Sequence, residues 1–415
     1  MKTLTPIIFT CLSSALAAQS TGNWSVENDI SGLAQRDFGL TVLASAGDAN
    51  GDGFDDILVG AGGASATKAY AGSAYIYSGA TREQLFRVDG THEAELLGAS
   101  VLSLVDVNSD GYNDILIGAP GRDRVTMHSG LNGKIIYRIN GPISSDLGRS
   151  LVKVSDQDGD GIPDFAAGSP NYSEPDSTLT GGITIFSGAS GQRLNDITPL
   201  ANSDHHGRIL SACGDLNGDG EADFMTSAWV EHTQWIVCYS AADSSEIMRM
   251  HLSTGGFGVI ETLANGGDLN QDGVDDILVG TPQRTVNGKA GTGSVFIMSG
   301  STGKILQQID GMHAGGGFGV SLLGNVDMNH DGYNDIMISS VKKIIGWGWV
   351  YTYSGKTGAL MSSYRSTQRG DEFGHSMANI GDTDGDGYDE IAIAAPAYDG
   401  VAGTDSGAIL IADFD

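Results

Sequence analysis

Only three cysteines occur in 415 residues, and one of them, Cys11, lies within the first eighteen. Cys213 ends one expected strand and Cys238 lies two strands further on. Strands two places apart in a sheet are separated by roughly 10 Å, beyond the reach of a disulfide. Two buried thiols are expected, and stability must come from something other than cystines. Basic residues are also few: 22 Lys and Arg stand against 51 Asp and Glu, for a formal charge of −29. No basic patch is visible, which argues against nucleic-acid binding. No apolar run reaches the ~20 residues that a membrane-spanning helix needs. No H-E-x-x-H, G-x-S-x-G or phosphate-loop pattern occurs, so no residue is assigned a catalytic role and the chain is read as non-enzymatic.

Residues 1–18 have the form of a secretory signal peptide. Lys2 supplies the positive start, residues 6–17 are mostly apolar, and Ala15-Leu16-Ala17 offers small residues for cleavage. The remainder, 19–415, is expected to be exported: secreted, periplasmic or displayed at the cell surface. Glycine is abundant, 62 of 415 residues, about twice the usual ~7%. Gly-rich turns between short apolar runs point to an all-β protein.

A nine-residue acidic segment occurs seven times. The copies begin at Asp48 (DANGDGFDD), Asp106 (DVNSDGYND), Asp156 (DQDGDGIPD), Asp215 (DLNGDGEAD), Asp268 (DLNQDGVDD), Asp327 (DMNHDGYND) and Asp382 (DTDGDGYDE). Steps of 58, 50, 59, 53, 59 and 55 residues separate them, a spacing that marks repeated supersecondary units. The second copy shows the unit. Leu97-Gly98 opens it, a strand is expected over 101–105, and the acidic segment follows. A second strand continues from Asp114 and stops at Gly118-Ala119-Pro120; two more are expected over 125–128 and 134–139. The second strand is apolar on consecutive residues (Ile57-Leu58-Val59, Ile115-Leu116-Ile117, Ile277-Leu278-Val279, Ile336-Met337-Ile338). Such a run is buried on both faces. Small sheets buried on both sides must pack radially, so the expected fold is a single seven-bladed β-propeller of four-stranded antiparallel blades. The last repeat lacks a fourth strand, and residues 24–32 supply one. The N-terminal strand should therefore complete the last blade and close the ring, hiding its edges.

The acidic segments alternate oxygen donors around a tight turn. In the first, Asp48, Asn50 and Asp52 hold positions 1, 3 and 5, Phe54 offers its carbonyl at 7, and Asp56 closes at 9. The equivalents are Asp106, Asn108, Asp110, Tyr112 and Asp114 in the second, and Asp156, Asp158, Asp160, Ile162 and Asp164 in the third. They are Asp215, Asn217, Asp219, Glu221 and Asp223 in the fourth, and Asp268, Asn270, Asp272, Val274 and Asp276 in the fifth. The sixth has Asp327, Asn329, Asp331, Tyr333 and Asp335; the seventh has Asp382, Asp384, Asp386, Tyr388 and Glu390. Hard oxygen donors with loose geometry suit Ca²⁺, up to seven ions here. Zinc would want His or Cys, and none stands at a donor position. An EF-hand needs an acid at position 12, where this chain has Val59, Ile117, Ala167, Thr226, Val279, Ile338 and Ile393. Five copies carry three carboxylates at the donor positions and two carry four, so the acidity belongs largely to these segments.

Phe-Gly, the acidic segment and Gly-Ala-Pro, in that order, resemble the FG-GAP repeat of the integrin α-subunit N-terminal propeller and of secreted bacterial proteins. Phe-Gly stands at Phe38-Gly39, Phe257-Gly258, Phe318-Gly319 and Phe373-Gly374, and becomes Leu97-Gly98, Leu147-Gly148 and His206-Gly207 elsewhere. Gly-Ala-Pro stands at Gly118-Ala119-Pro120, with variants at Gly168-Ser169-Pro170, Gly280-Thr281-Pro282 and Ala394-Ala395-Pro396. The resemblance covers residues 22–415. It implies a seven-bladed propeller with calcium in its lower-face hairpins and a role in adhesion or ligand recognition.

The functional reading is a non-catalytic binding or adhesion module for an extracellular protein or polysaccharide. Its working surface is expected opposite the acidic loops, where the connections 61–72, 171–182, 283–293 and 398–407 vary in length and sequence. The alternatives are a lectin or carbohydrate-active enzyme, and a purely structural exoprotein. Three further features are weighed. Arg369-Gly370-Asp371 matches an integrin-ligand tripeptide but precedes Phe-Gly and is read as chance. Trp347 with Trp349, and Trp229 with Trp235, fit blade packing better than exposed sugar platforms. Asp204-His205-His206 reads as a solvated turn rather than a metal site.

Overall fold

Each continuous apolar run forms the second strand of a four-stranded sheet, and its successive residues feed two different cores. A computed structural model describes residues 25–31, 41–173, 181–200, 203–231, 233–252, 258–341, 346–400 and 405–413. The expected signal peptide, Phe38 and Phe257 lie outside them. Blade 1 runs β2 (Thr41–Gly47), β3 (Asp56–Ala61), β4 (Ser73–Tyr77), β5 (Gln84–Asp89), and blade 2 runs β6 (Ser100–Ser103), β7 (Ile115–Ala119), β8 (Arg124–His128), β9 (Ile135–Asn140). Blade 3 comprises β10 (Leu151–Lys153), β11 (Phe165–Gly168), β12 (Ile183–Phe186) and β13 (Arg193–Ile197). Blade 5 comprises β19 (Thr262–Gly267), β20 (Asp276–Thr281), β21 (Ser294–Met298) and β22 (Ile305–Asp310). Blade 6 comprises β23 (Phe318–Val326), β24 (Asp335–Val341), β25 (Gly348–Tyr353) and β26 (Leu360–Arg365). Blade 7 has β27 (Met377–Asn379), β28 (Ile391–Ala395) and β29 (Ala408–Asp413), and its fourth strand is β1 (Ser25–Ser31), paired antiparallel to β29. The ring closes as the sequence predicts.

Seven hydrophobic cores fill the seven seams between blades. Ile57 and Val59 point into the seam with blade 7, beside Ala392 and Ile409. Leu58, between them, points into the seam with blade 2, beside Ile115 and Ile117. Leu116 in turn meets Phe165 and Ala167 of blade 3. A strand that alternates between two dry seams has no wet face, which is why its apolar run is unbroken.

The glycines of the repeat meet at these seams. A Cβ on Gly118 would fall 2.1 Å from the Gly148 carbonyl oxygen of the next blade. One on Gly60 would fall 2.3 Å from that of Gly98, and one on Gly168 1.9 Å from that of Gly207. Gly98 itself is left-handed, φ +85°, and its N–H donates to the Gly118 carbonyl of its own blade at 2.9 Å. Only glycine allows backbones to approach so closely in that conformation.

Blade 4 departs from the four-strand expectation. Its strands are β14 (Ser203–Asp204), β15 (Leu210–Gly214), β16 (Asp223–Val230), β17 (Thr233–Tyr239) and β18 (Glu246–His251), and the short β14 pairs with the overhanging end of β16 at Trp229 and Val230. Trp229 is half-buried there, and Trp235 lies edge-on to His251 at 4.6 Å. Cys213 is the bulged residue between Ala212 and Gly214. It shares the core between blades 4 and 5 with Cys238; both are free thiols, and contact with Cys238 together with burial pushes the Cys213 thiol well up. The two thiols are in contact, closer than the simple strand spacing suggests.

His206 is fully buried, not part of a solvated turn. It takes the place that Phe318 and Phe373 hold in other seams, and its Nε2 lies 3.1 Å from the Tyr239 hydroxyl while Nδ1 has no partner. Desolvation lowers its pKa from the ordinary 6.5 to about 4. Between those values the unfolded chain takes up a proton that the folded chain refuses, so stability is lost as pH falls through this window, by about 3 kcal/mol in total. His206→Phe, combined with Tyr239→Phe to avoid an orphaned hydroxyl, is expected to remove that loss. Denaturation at pH 7 and pH 4.5 tests it: an equal stability difference between variant and wild type at both pH values would refute the assignment.

Candidate metal centres

All seven acidic segments join the first strand of a blade to its second. Their shape is written in hydrogen bonds to their own backbone. The position-1 carboxylate gathers the N–H groups of the turn: Asp48 accepts from Gly51, Asp52 and Gly53 at 2.6, 3.1 and 3.0 Å. Asp156 does the same with Gly159, Asp160 and Gly161. The position-5 carboxylate accepts the N–H of position 7, as Asp52 does from Phe54 and Asp331 from Tyr333. Position 6 is left-handed, as expected for Gly53 at φ +95°. Position 4 is left-handed too, and this was not read from the sequence: Ser109, Gln271 and His330 adopt φ of 61°, 61° and 57° there. The glycines at positions 51, 159, 218 and 385 were the available signal.

Position 9 is different in kind. Asp56 is fully buried, and its two oxygens accept the N–H of Ala49 (2.8 Å) and of Gly79 (3.0 Å). Gly79 belongs to the turn between the third and fourth strands, so this carboxylate ties two hairpins together. Asp114 (to Val107 and Gly130), Asp164 (to Gln157 and Gly188), Asp223 (to Leu216 and Ala241), Asp276 (to Leu269 and Gly300) and Asp335 (to Met328 and Gly355) repeat the tie. Burial raises the Asp56 and Asp276 carboxyls to about 6 against the pull of these donors; Asp114, Asp164, Asp223 and Asp335 are raised for the same first reason. Blade 7 has no continuous turn from third to fourth strand, because its fourth strand is β1. There Glu390 binds the N–H and hydroxyl of Thr383 with one oxygen and leaves Oε1 buried without a partner.

Two of the loops bring carboxylates together. Asp382, Asp384, Asp386 and Glu390 offer oxygens within 4.8 Å of one another, as do Asp156, Asp158 and Asp164. Such groups could hold a metal ion, and the orphaned Glu390 oxygen is an acceptor that a cation would satisfy. Asp160 stands outside the third-loop cluster. In loops 1, 2 and 5 the amides of Asn50, Asn108 and Asn270 donate to the position-9 carboxylate at 3.2, 3.2 and 2.9 Å. In loops 1, 4 and 6, Asn50, Asn217 and Asn329 present Oδ1 to the N–H of Asp52, Asp219 and Asp331.

Position-7 side chains link neighbouring loops. The Tyr112 ring lies over Gly51, and the Phe54 ring over Gly385. The Tyr388 ring lies against that of His330, centroids 3.7 Å apart. Each is position 7 of one loop on position 4 of the loop before it in the ring. Glu221 accepts from Ser155 beside the third loop at 2.9 Å. Val274 packs on the core between blades 4 and 5, Ile162 lies by Gly188, and Tyr333 carries Lys356 on its face at 4.3 Å. Position-8 side chains reach the glycine preceding the neighbouring loop: Asn113 to Gly47, Asp55 to Gly381, Asp275 to Gly214 and Asn334 to Gly267.

The Arg369-Gly370-Asp371 tripeptide is not displayed. Asp371 is 2% exposed, hydrogen-bonded to the Ser366 hydroxyl and to the N–H of Phe373. Among the described residues no helix is long and apolar enough to cross a membrane.

Asp56→Ala strands two buried N–H donors, each worth about 1–3 kcal/mol, whereas Asp48→Ala exposes loop donors to water. Urea denaturation in the presence of chelator should therefore show a loss of about 2–5 kcal/mol for Asp56→Ala and a clearly smaller one for Asp48→Ala. Equal losses would mean that position 9 is not a structural tie.

The FG-GAP repeat family model matches residues 41–77, 97–135, 260–298 and 373–411, which are the first three strands of blades 1, 2, 5 and 7. Blades 3 and 4, where Leu147 and His206 replace the phenylalanine, and blade 6, where Ser339-Ser340-Val341 replaces Gly-Ala-Pro, are unmatched. Integrin alpha-4 of Xenopus laevis is 30% identical over 141 residues, 31% of this chain and 13% of that protein. Integrin alpha-PS3 of Drosophila melanogaster is 30% identical over 149 residues, 32% of this chain and 13% of its own length. Integrin alpha pat-2 of Caenorhabditis elegans is 28% identical over 220 residues, 45% and 17% respectively. Each alignment spans less than a fifth of the relative's length. With seven antiparallel sheets in a ring and the motif glycines at its seams, the chain carries FG-GAP repeats in four of its blades and is similar over part of its length to integrin α-subunits.

Proposed function

We propose that the chain is an exported, calcium-loaded recognition module, its loops holding Ca²⁺ and its opposite face holding an extracellular protein or polysaccharide. The observation that carries this is the convergence of oxygens from Asp382, Asp384, Asp386 and Glu390, the last of which keeps one buried oxygen unpartnered. The donors would be the side chains at positions 1, 3, 5 and 9 and the carbonyl at 7, in all seven loops. Oxygen-only donors on a flexible turn favour Ca²⁺ over Mg²⁺, which demands a strict octahedron. The cation would draw the loop carboxylates together and relieve their mutual repulsion.

The recognition half rests on topology. The acidic loops leave one end of each second strand, and the connections 61–72, 171–182, 283–293 and 398–407 leave the other. Beside the second of these, a cavity of about 450 Å³ opens between blades 2 and 3, lined by Pro142, Tyr172, Thr184, Arg193 and Asp196 among others. A rigid ring carrying variable connections is a scaffold for binding rather than for chemistry. The likeness to integrin α-subunits points the same way.

Extracellular calcium modules bind at ~10⁻⁴–10⁻³ M, and a site at tenfold its dissociation constant adds about 1.4 kcal/mol. Several such sites amount to a large share of the ~5–15 kcal/mol of a typical domain. Chelation is thus expected to lower the melting temperature by roughly ten degrees or more, with calcium restoring it better than equimolar magnesium. Elemental analysis should find several calcium ions per chain. A melting curve indifferent to chelator would sink the metal half. The binding half fails if the calcium-loaded chain retains neither envelope proteins nor matrix polysaccharides in a pull-down.

A further inference from the structure

One edge of blade 6 carries a stack of aromatic and cationic side chains that none of the preceding roles uses. Trp347, Trp349 and Tyr351 alternate along and just before β25, so they share one face of the sheet. Tyr351 is anchored in the core between blades 5 and 6, against Phe318 at 5.6 Å. Trp349 lies parallel to Tyr351, 5.8 Å between centroids and 10° between planes. Arg365, the cross-strand partner of Trp349, places its guanidinium 5.7 Å from the Trp349 ring and 4.5 Å from the Trp347 ring. Arg369 places its guanidinium 5.0 Å from the same Trp347 ring. From the core outward the order is Tyr351, Trp349, Arg365 and Trp347, with Arg369 also over the outermost ring. It grows out of the seam onto the face opposite the acidic loops, because β25 begins and β26 ends there.

Three properties mark the stack as unfinished. Arg365 and Arg369 make no ion pair among the described residues, although Arg87, Arg124, Arg193, Arg249 and Arg284 all do. The Arg365 Nε is buried and has no hydrogen-bond acceptor, an unfavourable state that a bound acceptor would correct. The one carboxylate of the Arg369-Gly370-Asp371 stretch is turned inward to Ser366 and Phe373. In a chain of charge −29, two uncompensated guanidiniums around a half-buried indole form a local site for an anion that also has a flat apolar face.

We propose that this edge binds an acidic sugar, a pyranose carrying a carboxylate, within an extracellular polysaccharide. The C–H face of the sugar would lie against the half-buried Trp347 indole, and the carboxylate would pair with the Arg365 and Arg369 guanidiniums, whose planar forks match it. This deepens the recognition reading and rests on it. A nucleic acid fits poorly, since the chain as a whole is strongly acidic.

The test is calorimetric titration of the calcium-loaded full chain with uronic-acid oligosaccharides, beside the same oligosaccharides with their carboxyls reduced to alcohols. The acidic ligand should bind at least tenfold more tightly than its neutral counterpart. Arg365→Met and Trp347→Ala should each weaken it at least tenfold, and Arg365→Lys, which keeps the charge but not the fork, should fall between. Unchanged melting curves confirm that the variants are folded; if Arg365→Met fails to fold, the exposed Arg369→Ala, expected to weaken binding about threefold, carries the test. Equal affinity for the reduced sugar, wild-type affinity in the variants, preference for acidic peptides, or no binding at millimolar ligand would each overturn the proposal. Retention of some other envelope component by all variants would overturn it while leaving the broader recognition reading intact.

Discussion

The ring depends on backbone touching backbone across each blade seam. Where Gly118 of blade 2 meets the carbonyl of Gly148 in blade 3, a methyl group would sit 2.1 Å from that oxygen. The same contact recurs at Gly60 with Gly98, Gly168 with Gly207 and Gly280 with Gly319. Close approach here lets the second strand of each blade lay alternate side chains into two seams, and the seven cores follow from that. The last seam is sealed by β1 on β29, so no sheet edge is left at the junction of the chain ends. The motif glycines are thus the geometric condition for radial packing, and the residue before Gly98, Gly148, Gly319 and Gly374 (Leu97, Leu147, Phe318 and Phe373) fills the seam.

The acidic loops sit on this frame and stiffen it. Position 1 folds the loop on itself, while position 9 reaches inward and binds a second hairpin, 23 residues away in the case of Asp56 and Gly79. One loop therefore has an outer half that is wet and acidic and an inner half that is structural. Ring contacts such as Tyr112 on Gly51 and Tyr388 on His330 then join loop to loop. The exchange of Asp for Glu in blade 7 has a structural cause: the third-to-fourth-strand turn that supplies a donor elsewhere is absent where the chain ends meet.

Departures from the repeat are concentrated in blades 4 and 6. Blade 4 replaces a seam phenylalanine by His206, matches it with Tyr239, and adds β14. Blade 6 loses Gly-Ala-Pro and gains the Trp347–Arg365 stack. In blade 4 the exchange brings the His206 ring nitrogens and the Tyr239 hydroxyl into a buried seam.

The sequence alone determined the fold class, the number of blades, the closing strand and the place of the acidic loops between the first and second strands. Each of these is local or periodic: a nine-residue loop folds on its own backbone, and a continuous apolar run reports burial on both faces whatever packs there. Only the tertiary structure decided what depends on residues distant in the chain. It buried His206 and Asp371, brought Cys213 beside Cys238, gave position 9 its second hairpin and set two arginines over Trp347. It also required a left-handed backbone at position 4, even at Ser109, Gln271 and His330. These outcomes are set by which blade stands next to which and by how strand ends overhang, and no pattern along a single strand carries that information.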